Sequence, residues 1–281
     1  MRVKFSNGIL SAEADTLGAE LVSVKLKKHE RLWQNESDEW AGHAPVLFPV
    51  CGKCAVRVGW REYPMERHGF AKSSEFTLKS FKKNAVCFEL CSNPETKKKF
   101  PYDFVFRVKY SLQDWHLCIA YEVENPTDRE LYFSCGGHES FALEQPLENY
   151  ELHFPRTEKF EALLHNSEGL LTGETLDMGM GNCLALPHEF LQNGNTLILS
   201  KVRSRKVVLC ESGRAVAEIS FNGFSNLLLW RPGDAQMICI EPWHNLPDTV
   251  GKKVCKFSER EGIVSVPPHR RKRFVRKIEY V

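Results

Sequence analysis

Apolar and polar side chains alternate at a period of two residues along much of this chain. Phe106 and Val108 alternate with charged residues, and the segment 117–123 repeats the pattern after a loop of hairpin length. Alternation of this kind is typical of β-strands that bury one face. No window of more than ten residues carries a convincing 3.6-residue apolar stripe, although Ser37–Trp40 and Pro187–Phe190 have the composition of short helix starts. The pattern therefore predicts an all-β protein with few short helices.

Turn signals such as Asn93-Pro94, Asn193-Gly194 and Pro232-Gly233 recur at short intervals, and no linker or low-complexity tract separates the segments between them. We therefore expect a single domain over residues 1–281, built as a large antiparallel β-sandwich. The basic run at 269–273 leads into a last alternating segment. We interpret it as a solvated edge strand protected by charge rather than as a nucleic-acid patch.

Charge and composition exclude several classes of partner. The 38 basic and 36 acidic residues give a net charge of +2, so electrostatics give no general case for binding nucleic acid or an anionic membrane. The N-terminus lacks the apolar core of a secretory signal, and no apolar stretch reaches the ~20 residues that span a bilayer. We expect a cytoplasmic protein whose ten cysteines are reduced. Because Cys51-Gly-Lys-Cys54 has no second C-x-x-C, we interpret both cysteines as packing residues rather than a redox dithiol or half of a zinc site.

The run from Met237 to His244, M-I-C-I-E-P-W-H, is apolar apart from one carboxylate. Ionised carboxylates are rarely left in such runs unless they are paired or do chemistry. On a strand, Cys239 and Glu241 project from one face and Ile240 from the other. Pro242 predicts that the strand stops at Glu241, a position suited to face a pocket, although an edge carboxylate or a structural salt bridge fits the run equally well.

Two histidines share this kind of context. His68 lies in R-H-G-F-A-K and His138 lies in S-C-G-G-H-E-S-F, each beside glycine, where the backbone can turn sharply or approach a ligand. A single histidine near a turn is usually structural. Two of them together with Glu241 form a set of groups able to give and take protons near neutral pH.

The chain resembles the aldose 1-epimerase (galactose mutarotase) superfamily, in particular the small bacterial branch that is related to hexose-6-phosphate mutarotases. The motifs that carry the resemblance lie in order along most of the chain: G-A-E-L-V-S at 18–23, A-P-V-L-F-P-V-C-G-K at 44–53, R-H-G-F-A-K at 67–72, F-P-Y-D-F-V-F-R-V at 100–108, Y-E-V-E-N at 121–125, F-S-C-G-G-H at 133–138 and C-I-E-P-W at 239–243.

The resemblance implies a β-supersandwich and an acid–base reaction at the anomeric carbon of a sugar, with no cofactor and no metal. Glu241 corresponds to the base that takes the proton from the O1 hydroxyl, and His138 to the acid that protonates the ring oxygen O5. Rotation about the C1–C2 bond and re-closure then give the other anomer. His68 corresponds to the second histidine, which hydrogen-bonds the substrate near the reacting oxygens.

The chain departs from the family pattern at positions that would bind substrate. Lys53 and Lys72 stand where arginines are common, and lysine lacks the bidentate fork that grips a phosphate. A family aspartate that holds sugar hydroxyls is replaced by Asn193 or Asn195, whose amide binds without charge assistance. Arg67 adds a third cation to the expected rim of the pocket.

Aromatic residues near these motifs could stack on a sugar face, although large aromatics are core residues by default. The candidates are Trp40, Phe70 and Trp243. We expect a mutarotase acting on a free aldohexose. The alternatives are a hexose-6-phosphate mutarotase and a non-catalytic carbohydrate-binding protein on the same scaffold. The sequence does not predict the oligomeric state.

Overall fold

The structure is a computed structural model that describes residues 1–35 and 39–281. Strands make up most of its regular structure: β1 (Arg2–Ser6), β2 (Leu10–Asp15), β3 (Leu21–Leu26), β4 (His29–Glu30), β5 (Val56–Val58), β6 (Arg61–Tyr63), β7 (Thr77–Lys82), β8 (Ala85–Cys91), β9 (Val105–Gln113), β10 (His116–Glu124), β11 (Leu131–Phe133), β12 (Glu139–Ala142), β13 (Tyr150–His165), β14 (Leu171–Ala185), β15 (Leu197–Leu199), β16 (Lys206–Glu211), β17 (Arg214–Ser220), β18 (Asn226–Trp230), β19 (Met237–Trp243), β20 (Val264–Val266) and β21 (Arg271–Tyr280).

Helices are few and short. Two α-helices, α1 (Pro94–Lys99) and α2 (His188–Gln192), and three single 3-10 turns at Ala71–Ser73, Leu147–Asn149 and Phe257–Glu259 are found in the described part of the chain. None of these helices is long and apolar enough to cross a membrane.

The strands form one large antiparallel sheet and three smaller ones. The large sheet has the order β12-β19-β18-β15-β13-β16-β17-β21-β10-β9-β8-β7, and β14 pairs with β13 outside this path. A second sheet has the order β1-β2-β3-β4, while β5 pairs with β6 and β11 with β20. These antiparallel sheets confirm the predicted β-supersandwich.

The large sheet curls back on itself. Seven strand spacings separate β12 from β21 along it, and at ~4.8 Å per spacing a flat sheet would hold them more than 30 Å apart. The side chains of Glu139 on β12 and Arg276 on β21 are nevertheless hydrogen-bonded. The main hydrophobic core accordingly contains buried residues from both halves of the sheet, such as Ile240 and Phe106.

The predicted strand patterns are largely confirmed. In β9, Phe106, Val108 and Tyr110 are buried, and the neighbouring strand β10, which pairs with β9, also buries its apolar residues. In β19, Ile240 lies in the main core whereas Cys239 packs in a separate cluster on the opposite face. The alternation rule therefore places side chains correctly wherever strands pair regularly.

The predicted end of β19 at Glu241 is wrong, because the strand continues through Pro242 to Trp243. Pro242 keeps its pairing with Leu227 on β18. Its carbonyl accepts a hydrogen bond from the Gly137 N–H on the β12 side, where proline has no N–H to return. The missing donor therefore interrupts one ladder only, and Glu241 remains at the point where β12 and β19 part.

Three other local predictions have different outcomes. The helix at 188–192 confirms the prediction of a helix start near Pro187, while Ser37 and Asp38 of the other predicted start lie outside the described residues. The Asn93-Pro94 turn signal opens helix α1, where Asn93 forms a capping box. The basic run leads into β21, where residues 271–273 pair only with β10 among the described strands, so this part has one unpaired edge as predicted, while residues 277–280 also pair with β17. The acidic residues of β10 lie opposite the exposed basic side chains of β21 and stabilise them electrostatically.

Candidate active site

A cavity of about 360 Å³ opens where β12, β18 and β19 meet the loops after β4 and β6 and the hairpin of β13 and β14. This volume lies within the range of small-molecule sites. The polar and charged side chains that line it include those of Arg67, His68, Lys72, His138, His165, Thr196 and Glu241, and its aromatic walls are Trp40, Trp230 and Trp243. The cavity thus brings together the three residues that the sequence predicts to be catalytic.

Glu241 lies on β19 and its side chain is almost completely buried. Its Oε2 accepts a hydrogen bond of 3.1 Å from the indole Nε1 of Trp243, two residues further along the same face of the strand. The same oxygen lies 3.4 Å from Nε2 of His138. A carboxylate and an imidazole at this distance can exchange a proton with only a small rearrangement.

His68 is fixed by two hydrogen bonds with Gly52. The main-chain N–H of His68 donates to the Gly52 carbonyl, and the Gly52 N–H donates to Nδ1 of the imidazole at 3.1 Å. An Nδ1 that accepts must be unprotonated, so the neutral ring carries its proton on Nε2. The backbone of His68 has a φ of 69°, a strained value that is typical of functional turns. The structure therefore presents His68 as a hydrogen-bond donor.

His138 lies directly before β12 and is enclosed by rings. Its imidazole stacks on Trp40, with ring centroids 5.2 Å apart, and meets the edges of His68 and Trp230 at 5.5 and 5.7 Å. Gly137 makes this packing possible, because a Cβ at that position would lie 2.1 Å from a guanidinium nitrogen of Arg276. Aromatic contacts on one side and a buried ion pair behind therefore fix the position of His138.

The ion pair behind His138 joins β12 to β21. Arg276 has no exposed side-chain surface, and both of its terminal nitrogens donate to the Glu139 carboxylate, one of them at 2.6 Å. The second nitrogen also donates to the hydroxyl of Tyr121 on β10 at 2.8 Å. Because Glu139 follows His138 directly, this network anchors the residue next to the imidazole.

Burial shifts the pKa values of all three candidate catalytic groups toward their uncharged forms. Desolvation raises the pKa of Glu241 well above its usual range, and the nearby negative charge of Glu139 adds to the effect. Desolvation lowers the pKa of His138 to about 4. Desolvation also lowers the pKa of His68 well below its usual value, with smaller contributions from the positive charges of its neighbours. Burial therefore favours the arrangement in which the proton shared by Glu241 and His138 lies on the carboxyl group and the imidazole is neutral.

The predicted substrate-binding residues divide into two groups. Arg67, Lys72 and Trp243 line the cavity. Lys53 lies outside its lining, because its ammonium group forms an ion pair of 3.0 Å with Glu168. Asn195 also lies outside, since its amide donates to a main-chain carbonyl of helix α2 at 3.1 Å.

The other candidates divide in the same way. Trp40 lines the cavity, Phe70 is buried in the core, and the amide of Asn193 caps the end of α2 by donating to the Glu189 carbonyl. His244, the histidine nearest the site in sequence, stacks on Phe224 away from the lining. Proximity to a motif does not fix the direction of these side chains.

His165 is a pocket residue that sequence reasoning did not select. It ends β13, and its imidazole Nε2 accepts a hydrogen bond of 2.9 Å from the Thr196 N–H. Its Nδ1 lies 2.9 Å from the carbonyl of Asn166, which fixes the proton on Nδ1. Both nitrogens are therefore occupied, so the ring is a wall of the cavity. Its place at the end of a strand, before a polar turn, was the signal available in the sequence.

Cysteines contribute to the surroundings of the cavity. The Cys239 thiol lies within 4.8 Å of the ligand atoms of His138 and Glu241, a donor set that could hold a metal ion. Burial raises the pKa of the Cys239 thiol well above its usual range, so a metal there would have to displace a tightly held proton. Cys51 and Cys54 are buried free thiols, as expected of packing residues.

Sequence comparison assigns the family. A model of the aldose 1-epimerase family matches residues 1–253. The chain belongs to the aldose 1-epimerase family. Protein LacX, encoded on a plasmid of Lactococcus lactis subsp. lactis, is 31% identical over 267 residues that cover 88% of each chain.

Solved structures with similar sequences show the same fold. A galactose mutarotase-like protein from Lactobacillus casei is 28% identical and superposes with a TM-score of 0.92 over the whole of both chains. A galactose mutarotase related enzyme from Lactobacillus acidophilus, 24% identical, superposes with a TM-score of 0.91 over 100% of this chain and 97% of that one. This aldose 1-epimerase family member therefore has the galactose mutarotase-like fold along its length.

Removing one partner of the buried ion pair tests its structural role. Arg276→Met leaves the Glu139 carboxylate buried without a partner, so we expect the free energy of unfolding to fall by about 3–5 kcal/mol. Urea denaturation followed by circular dichroism measures this loss. Lys277→Met, at the neighbouring exposed position, is the matched control and should change stability by less than about 0.5 kcal/mol.

If Arg276→Met does not fold, the double variant Arg276→Met/Glu139→Leu removes both charges and should recover much of the stability. An Arg276→Met protein as stable as the Lys277→Met control would show that the ion pair does not anchor β12.

Proposed function

We propose that the protein is an aldose 1-epimerase that interconverts the α and β anomers of an aldohexose by acid–base ring opening. The observation that carries the proposal is the 3.4 Å approach of Nε2 of His138 to Oε2 of Glu241 inside a cavity of small-molecule size. Membership of the aldose 1-epimerase family supports the reaction class.

The proposed reaction moves one proton from O1 of the sugar to its ring oxygen O5. Glu241, as carboxylate, takes the O1 proton while protonated His138 gives a proton to O5, and the C1–O5 bond breaks to give the open-chain aldehyde. Rotation about C1–C2 turns the other face of the carbonyl toward O5. Re-closure runs the same two transfers in reverse, with Glu241 as acid and His138 as base.

The shared proton suits a reaction that runs in both directions. After ring opening, Glu241 is protonated and His138 is neutral, which is the distribution that burial favours in the free protein. Ring opening starts from the opposite distribution, so one proton must first cross from Glu241 to His138. The open-chain sugar thus meets the pair in its preferred state, and closure needs no proton from solvent.

His68 and the tryptophans have binding roles in this proposal. The Nε2–H of His68 donates to a sugar oxygen next to His138, and the indole of Trp243 both hydrogen-bonds Glu241 and forms one wall of the cavity. Indole faces pack well against the apolar C–H surface of a sugar ring. A protein that only bound carbohydrate would have no need of a buried acid and base in contact.

Removal of the acid or the base should abolish most of the activity. We expect Glu241→Gln and His138→Asn each to lower kcat by at least ~10², the usual scale for loss of a positioned acid or base. Exchange of anomeric signals by NMR, corrected for the uncatalysed rate, measures the effect on glucose and galactose.

His116→Asn, which changes a half-exposed histidine outside the cavity, is the matched control and should retain the wild-type rate. Near-wild-type turnover of either Glu241→Gln or His138→Asn would remove that residue from the mechanism. Wild-type protein that bound these sugars without accelerating anomer exchange would instead favour a carbohydrate-binding protein.

A hexose 6-phosphate is the second candidate substrate, because two cations face the cavity. Arg67 and Lys72 line it, and the Arg67 guanidinium lies so close to Gly169 that a Cβ there would be 1.8 Å from it. We nevertheless favour an unphosphorylated aldohexose. Lys53 is engaged by Glu168 and Lys72 lacks the bidentate fork of an arginine.

The ratio of kcat/KM for glucose 6-phosphate to that for glucose separates the two substrates. We expect a ratio within about tenfold of unity and nearly independent of salt, since the described residues that line the cavity form no complete phosphate clamp. Arg67→Met should then change both substrates alike, with Lys53→Met as the control outside the cavity. A ratio above ~10² that falls steeply with salt, and that Arg67→Met reduces for the phosphate alone, would make the protein a sugar-phosphate enzyme.

A further inference from the structure

Three side chains of the types that ligate metals lie together on β13 and β14 of the large sheet, outside the cavity lining. Glu151 and His153 belong to β13 and Cys183 belongs to β14. Nε2 of His153 lies 2.7 Å from Oε1 of Glu151, and the thiol of Cys183 donates a hydrogen bond of 3.1 Å to Oε2 of the same carboxylate. The three ligand atoms all lie within 4.8 Å of one another.

Strand register explains why these side chains meet. Residues two apart on a strand project from the same face, so Glu151 and His153 share one face of β13. Cys183 is the direct partner of His153 across the ladder, and directly opposed side chains also share a face. Regular pairing of β13 and β14 therefore holds the cluster in place without any support from loops.

The chemistry of the cluster fits zinc better than a disulfide. Cys210 on β16 is the cross-strand partner of Glu151, so two strand spacings, roughly 9–10 Å, separate Cys210 from Cys183. Disulfides need Cα atoms within about 7 Å of each other, so these two thiols cannot be bridged without backbone movement. Thiolate, imidazole and carboxylate are the three ligand types that zinc takes in proteins.

We propose that Glu151, His153 and Cys183 form a surface zinc site whose fourth position is occupied by water. Cys183 is exposed and the other two side chains are half-buried, so an ion can reach all three from solvent. On binding, the S–H bond of Cys183 breaks, its proton passes to solvent and a zinc–thiolate bond forms. The proton on Nε2 of His153 moves to Nδ1 by exchange with solvent, which frees the Nε2 lone pair to bind the metal. The carboxylate exchanges its hydrogen bonds from the thiol and the imidazole for a bond to the metal.

A metal at this position would join β13 to β14 at the open end of their hairpin. The closed end of the same hairpin carries His165 and Gly169 into the lining of the cavity. Zinc that binds only the folded chain stabilises it by mass action, by an amount that grows with the logarithm of the zinc concentration. A zinc ion at this site would thus cross-link the two strands of the hairpin that forms one wall of the cavity.

Zinc titration of the reduced, full-length protein tests the site. All variants are made in a His138→Asn background, because this removes the second three-donor group found among the described residues, formed by His138 with Cys239 and Glu241. We expect one equivalent of zinc to bind at micromolar concentration and to raise the melting temperature. Cobalt in place of zinc should give a thiolate-to-metal charge-transfer band.

Cys183→Ser and His153→Asn should each weaken zinc binding at least ~10-fold and lose the stabilisation, since each removes a direct ligand. Cys183→Ser should also remove the charge-transfer band of the cobalt form. Cys91→Ser changes an exposed cysteine far from the cluster in the sheet order and should bind zinc as the parent does. Absence of binding at micromolar zinc, or equal affinities in parent, Cys183→Ser and His153→Asn, would overturn the proposal. Because these readouts measure metal binding alone, they stand apart from the test of the proposed epimerase activity.

Discussion

The buried ion pair between Arg276 and Glu139 joins the two halves of the curled large sheet directly behind the site. It links β21 with β12, the strand that follows His138, although seven strand spacings separate the two strands along the curled sheet. An unpaired charge in that position would be costly, so the two strands must approach each other with these two side chains in contact. The close approach of Arg276 to Gly137 extends the same constraint to the backbone before His138. Fold closure and site geometry are therefore parts of one arrangement.

The second constraint is the exclusion of water from the two candidate catalytic groups. Glu241 and His138 are buried among tryptophan rings, so burial penalises the charged form of each and favours a protonated carboxyl group beside a neutral imidazole. A reaction that removes a proton from one oxygen and returns one to another needs such a pair, because the roles of acid and base alternate. His68, fixed as an Nε2–H donor by Gly52, adds a hydrogen bond without adding a charge. The geometry and the electrostatics favour the same kind of chemistry.

Much of this arrangement could be predicted from the sequence, for local reasons. The period-two pattern of β9 and β10 and the single carboxylate in the run around Glu241 are properties of short segments. Side chains whose direction depends on distant partners were not predictable in the same way. Lys53 follows a motif that forms part of the pocket, yet Glu168, 115 residues away in sequence, draws its ammonium group outward. Arg276 lies just beyond a basic, exposed run, and only closure of the sheet shows that this one arginine is buried.

The dependence of kcat/KM on pH tests the shared-proton pair most directly. Below the His138 pKa of about 4, His138 is protonated while Glu241 still holds its own proton, so no base remains to take the O1 proton. We therefore expect kcat/KM to fall only as the pH approaches 4. The residual activity of His138→Asn should show no such fall. Circular dichroism at each pH confirms that the protein is still folded. An acid limb near the ordinary histidine value of about 6.5 would contradict the account, because it would mean that the essential group titrates as if it were in water.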